Sequence, residues 1–90
     1  MVDVGPGVGA LVVYAGAEQQ GNEIEISPKG DETNRIHTEV LPRSTALGPL
    51  YAAVFGSLPE GDYRLWLKTV SLPRDVRIVG GQITEVDWRQ

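Results

Sequence analysis

Phe55-Gly-Ser-Leu-Pro-Glu-Gly-Asp-Tyr63 reads as a fixed corner that joins the end of one β-strand to the start of the next. Pro59 pre-sets a turn φ, Gly61 supplies a backbone geometry that a side chain would resist, and Leu58 and Tyr63 anchor the two flanks as apolar residues. The stretch identifies an architecture and says nothing of a reaction.

Outward from the corner the dominant period is two, with turn residues every eight to twelve positions, the pattern of a sandwich or barrel. No helix is required. On the N-terminal side, Leu50 to Gly56 reads as a strand with Tyr51, Ala53 and Phe55 inward, preceded by a loop from Arg43 to Gly48. Arg35 to Pro42 alternates, Ile36, Thr38 and Val40 opposing Arg35, His37 and Glu39. Asn22 to Pro28 does the same, with Ile24 and Ile26 against Glu23, Glu25 and Ser27. Val8 to Ala15 is apolar on both faces apart from its ends, which suits a central strand; Met1 to Gly7 reads as a flexible lead-in. On the C-terminal side, Tyr63, Leu65 and Leu67 share a face and force Arg64, Trp66 and Lys68 onto the other. Ser71 to Arg74 is a link, Val76 and Ile78 mark a short strand, and Gly80-Gly81 reads as a tight hairpin turn into Gln82 to Trp88. That last strand has an ambiguous register: Thr84, Val86 and Trp88 fit one inward set, but Ile83 then points away. The expectation is one all-β domain over residues 8–90, a seven-stranded, antiparallel-type sandwich of Greek-key, immunoglobulin-like character.

Ninety residues feed one core, and a chain of this size buries little more than ~60% of its unfolded surface. Without cysteine there are no disulfides, thiolate metal sites or cysteine nucleophiles, which fits a reducing compartment. Ala10 to Ala15 is too short for a membrane span, and no basic segment precedes it as in a signal peptide, so the expected location is cytoplasmic, with no membrane partner. A net charge of −4, with acids dispersed over separate segments, argues against nucleic acid, which requires a basic stripe.

The order strand, Phe55, Leu58-Pro-Glu-Gly61, Tyr63, apolar strand, short strand, Gly80-Gly81 and Thr84-Glu-Val-Asp87 resembles the prealbumin-like sandwiches. These include the transthyretin-like regulatory domain of carboxypeptidases and the B-type (Cna-B) repeat of collagen adhesins. The resemblance is firmest from Tyr51 to Trp88 and supports the architecture more than any one family, because other sandwiches use related tyrosine corners. The chain is also similar to a small actinobacterial family that brings no known activity. The adhesin repeats often form an isopeptide bond from a first-strand lysine to a last-strand asparagine or aspartate. Asp87 stands where that partner would, but Gly9-Ala-Leu-Val-Val-Tyr14 has no lysine, so the bond has no amine. The transthyretin-like hydroxyisourate hydrolases use several histidines and a C-terminal tyrosine-arginine-glycine-serine signature. This chain has one histidine and ends Asp87-Trp-Arg-Gln90, so that activity is rejected.

His37 is the side chain whose ordinary pKa lies near neutrality. Alternating with Arg35 and Glu39 on a wet face, it reads as a surface residue before it reads as an acid, base or ligand. Glu23, Glu25 and Glu39 would bring oxygens together if their strands pair, yet no recognisable ligand motif supports a metal, and no cofactor is implied. Ser44, Ser57 and Ser71 lack an elbow or an adjacent base and read as turn residues. The Gly5-Pro-Gly7 cluster precedes a strand and lacks the lysine-serine ending of a phosphate loop. Trp66 carries the most interest: an indole between Arg64 and Lys68 offers a stacking plate with cationic neighbours. The plainer reading is that it covers the rim of the sheet under their long stems, or closes a dimer seam, with Glu23 or Glu25 neutralising the cations if these strands pair. Trp88 reads as a core cap or an edge-strand anchor.

Three functions remain. The leading one is a non-catalytic interaction or accessory module that docks a protein partner or itself by a sheet face or an edge strand, the first and last strands carrying few charges or prolines to block pairing. The second is a carbohydrate or small-ligand binder using Trp66, Arg64 and Lys68. The third is a hydrolase centred on His37 with Arg35 and Glu39, which requires a cleft and a perturbed histidine.

Overall fold

The hydroxyl of Tyr63 donates to the carbonyl of Pro59 at 2.6 Å, closing the corner read from the sequence, and Gly61 within it has φ 150°. The computed structural model describes residues 4–31, 33–67 and 74–88, the side chain of Leu67 excepted. Among these, the chain forms β1 (Val8–Ala15), a 3-10 turn (Ala17–Gln19), β2 (Glu23–Pro28), β3 (Ile36–Glu39), β4 (Leu41–Thr45), β5 (Gly48–Pro59), β6 (Gly61–Leu67), β7 (Arg74–Ile78) and β8 (Ile83–Asp87). They make two four-stranded sheets, ordered β4-β5-β1-β8 and β3-β2-β6-β7. The corner therefore carries the chain from the first sheet to the second.

The expected all-β, two-sheet architecture is present, with eight strands among the described residues in place of seven. The difference arises at Val40, which is fully buried: here the segment Arg35 to Pro42 leaves one sheet and enters the other, so one expected strand is two. The expected loop from Arg43 to Gly48 is in fact a hairpin. Thr45 pairs with Gly48 across a two-residue turn, and β4 runs back along β5 with every residue exposed. β5 is also longer than expected, and it bulges where Gly56 and Ser57 together oppose Ala10, Gly9 pairing with Leu58 and Leu11 with Phe55.

The sheets are not purely antiparallel. β1 lies between β5, to which it is antiparallel, and β8, to which it is parallel from Ala10/Ile83 to Tyr14/Asp87. β1 is thus an interior strand with no free edge, whereas β8 is an edge. Gly80-Gly81 forms the expected tight turn, Gln82 N–H donating to Val79 O at 3.2 Å with Gly81 at φ 78°, but it connects strands of different sheets and is not a hairpin. β1 fits against this turn only as glycine: a Cβ on Gly9 would stand 2.5 Å from the Val79 carbonyl oxygen.

Between the sheets lie Leu11, Val13, Ala15, Ile24, Ile26, Val40, Ala53, Phe55, Leu58, Tyr63, Leu65, Ile78, Val86 and Trp88, with Tyr51 and Val76 packed against them. Alternation along each strand sends the intervening residues outward. Val86 and Trp88 are buried and Ile83 is exposed, which settles the register that the sequence left ambiguous for the last strand. Among the described residues, no helix is long and apolar enough to cross a membrane.

Candidate functional site

The two outer faces differ in chemistry, and the described binding candidates, Arg35, His37, Glu39, Arg64 and Trp66, fall on the face of the β3-β2-β6-β7 sheet. Antiparallel pairing puts Glu25 between His37 on one side and Trp66 on the other. One row along, Ser27 faces Arg64, and Arg64 faces Asp75. The strand of Trp66 does pair with that of Glu23 and Glu25, the condition left open by the sequence, though Arg64 is neutralised by a different acid. Arg64 Nε donates to Asp75 Oδ1 at 3.2 Å, Lys29 Nζ reaches the other Asp75 oxygen at 3.1 Å, and Glu25 instead takes Arg35 at 3.1 Å. His37 Nε2 is 3.4 Å from Glu23, and Arg77 meets Asp62 at 2.9 Å. Hydrogen bonds first from Lys29 and then from Arg64 hold the Asp75 carboxyl below its ordinary range.

Trp66 is the centre of this face and is not a bare plate. Its Nε1–H donates to Ser27 Oγ at 3.0 Å, and the Arg35 guanidinium carbon lies 4.0 Å above its ring centroid. One π-face is thus occupied by a cation that Glu25 also holds. Beneath the indole, Ser27 is completely buried although it projects from the outer side of its strand. Trp66 thus covers the sheet above Ser27, with Arg35 as a cationic neighbour over its ring. Lys68 lies outside the described residues. Glu39 stands at the edge, directly opposite Glu23.

His37, Arg35 and Glu39 do share one face, but His37 is exposed on an open strand. No group of three or more histidine or acidic side chains converges on a metal position among the described residues. A surface depression of about 340 Å³ lies at the corner, lined by Glu60, Gly61, Arg77, Ile78 and Val79. Its acidic group is committed: Glu60 accepts from the Gly80 N–H at 3.2 Å.

The other outer face, of the β4-β5-β1-β8 sheet, is apolar along its two central strands and carries Arg43 on β4 and Glu85 and Asp87 on β8; of the residues weighed in the sequence, Asp87 lies here. Val12 is in register with Val54, and Tyr14 with Ala52, which in turn pairs with Leu41. Ala10 and Ala52 are buried by their neighbours, Val12, Tyr14 and Val54 are half-buried, and Leu41 and Ile83 are 42% and 53% exposed at opposite rims. The phenol of Tyr14 donates to Glu85, so the acid of β8 is drawn against the face. The sequence signal for this surface is the apolarity of Val8 to Ala15 on both sides, which fits a strand covered on both faces equally well.

No protein-family model matches the chain, and neither a curated protein nor a solved structure is significantly similar to it.

Proposed function

We propose that this chain is a non-catalytic docking module, prealbumin-like in type and cytoplasmic, whose recognition surface is the outer face of the β4-β5-β1-β8 sheet. The observation that carries this reading is the contrast between the faces. One is laced with ion pairs around Trp66; the other presents Val12, Val54, Leu41, Tyr14 and Ile83 as an apolar strip, with charges confined to its outer strands, Arg43 on β4 and Glu85 and Asp87 on β8. A contiguous apolar surface on a small domain is a typical protein-binding feature. Glu85 and Asp87 border it along β8, so the complementary partner is a protein with an apolar patch flanked by cations on that side.

The strand order supports the prealbumin-like type over the immunoglobulin type. In immunoglobulin domains the first strand pairs with the second. Here β1 sits between β5 and β8, while β2 pairs with β3 and β6.

The test compares immobilised wild type with Ile83→Glu, Leu41→Glu and Trp66→Ala, each checked for folding by circular dichroism. Binding of one defined protein that is lost in Ile83→Glu and Leu41→Glu but kept in Trp66→Ala is the expected result. Loss confined to Trp66→Ala moves recognition to the ion-paired face and overturns the reading.

A further inference from the structure

β3 is the outermost strand of its sheet, and the backbone itself fixes which groups it offers outward. Val40 N–H donates to Asn22 O at 2.9 Å. In the register that follows, Ile24/Thr38 and Ile26/Ile36 are the hydrogen-bonded pairs, because antiparallel pairs alternate between bonded and non-bonded. The N–H and C=O groups of Arg35, His37 and Glu39 therefore point away from β2. Among the described residues no other strand pairs with that edge, and it contains neither proline nor lysine, the usual guards against pairing.

The side chains on this edge are self-complementary. Arg35 and Glu39 are equidistant from His37, so an antiparallel second copy with His37 on the two-fold axis sets each Arg35 opposite the other chain's Glu39. The residues brought opposite each other are those whose backbone groups already point outward, which gives roughly six new ladder bonds. Registers centred on Arg35 or on Glu39 would instead put like charges on the axis.

Two features of the single chain favour such a partner. Glu39 is directly opposite Glu23, a like-charge pair of the kind that destabilises a sheet and that an incoming arginine would relieve. Ile36 projects toward the core side of its sheet yet is 47% exposed, and a paired edge would cover it with the Thr38 and Ile36 of the second copy.

We infer that the chain pairs with a second copy of itself through β3, antiparallel and with His37 at the dyad, forming a continuous eight-stranded sheet. The axis is perpendicular to that sheet. The two apolar faces of the other sheets then lie on the same side of the dimer, although the pairing does not depend on the docking role proposed for them.

The native chain has no cysteine, so single-cysteine variants report the geometry directly. Cα atoms across a hydrogen-bonded antiparallel pair are about 5.5 Å apart, within the disulfide range of roughly 4.4–6.8 Å. Under mild oxidation His37→Cys is expected to form a covalent dimer at least about tenfold faster than Ser44→Cys on the β4 edge or Ser57→Cys at the bulge. Wild type should sediment at twice the monomer mass, and Glu39→Arg, which sets arginine against arginine, at the monomer mass. A monomeric wild type, equal cross-linking of the three variants, or a dimer indifferent to Glu39→Arg would each overturn the pairing. Ile83→Glu, on the docking face, should leave the dimer intact, which keeps the two proposals separable.

Discussion

Tyr63 and Pro59 are joined by a hydrogen bond from the phenol to the carbonyl oxygen four residues earlier, at the point where the chain passes from one sheet to the other. The bond is local in sequence but its consequence is not. It fixes the angle at which β6 leaves β5, and so seats Leu58 and Leu65 in the same core.

Removing that bond with Tyr63→Phe is expected to lower stability by about 1–1.5 kcal/mol, the net worth of an ordinary hydrogen bond. For a domain of this size each kcal/mol corresponds to a fall in Tm of roughly 4–8 °C. The change also alters the pH response. Burial raises the Tyr63 pKa above its ordinary value of 10.0, so above pH 10 the folded state holds a proton that the unfolded state releases. The contribution is complete below pH 10 and is lost as the pH rises through the folded value. Urea unfolding of both proteins between pH 8 and 11 should show their stability difference shrinking at the alkaline end; a constant difference would contradict this.

Asp75 is held below the usual carboxyl range by Lys29 and Arg64, which converge on it from the end of β2 and from β6. Its folded pKa is depressed, so its contribution is present above the ordinary value of 3.8 and fades as the pH falls through the lower, folded value. Asp75→Asn should consequently be less stable than wild type at neutral pH and converge with it in acid. The group is solvent-exposed, and 1 M salt should narrow the neutral-pH gap by screening. A gap unchanged by both acid and salt would show that the pair is not electrostatically coupled.

The corner was legible because its determinants are neighbours: Pro59, Gly61 and Tyr63 act within five residues, so spacing alone carries the meaning. Val86 and Trp88 were legible only as one of two registers, because the apolar Ile83 on the opposite parity competes with them for the core. β4 was not, because none of its residues is buried on either face. Its strand character comes from backbone pairing with β5, which leaves no hydrophobic alternation to read. The switch of sheets at Val40 is marked only by Leu41, an apolar residue on the polar parity of β3, and a single such break does not identify a change of sheet. The parallel β1–β8 pairing joins the two ends of the chain and has no local signature. The charged surroundings of Trp66 followed from alternation, whereas its place over Ser27 depends on Ser27 pairing with Arg64, a register that only the folded chain supplies.

That Ser27–Trp66 contact separates a structural tryptophan from a ligand-binding one. Trp66→Phe keeps an aromatic ring over the sheet but leaves the buried Ser27 hydroxyl without its indole donor. The expected cost is about 1–3 kcal/mol, the penalty for an unsatisfied buried polar group. Ser27→Ala in the Trp66→Phe background should return part of this, because it removes the stranded hydroxyl. Arg35→Ala should cost less, on the order of 0.5–1 kcal/mol, since a partly exposed cation–π contact is weak. The check is a double-mutant cycle between positions 27 and 66 from chemical denaturation. A coupling energy of about 0.5–1.5 kcal/mol assigns the indole to the sheet. Zero coupling, together with tryptophan fluorescence quenched by a panel of soluble oligosaccharides, would instead make Trp66 a stacking plate for a sugar.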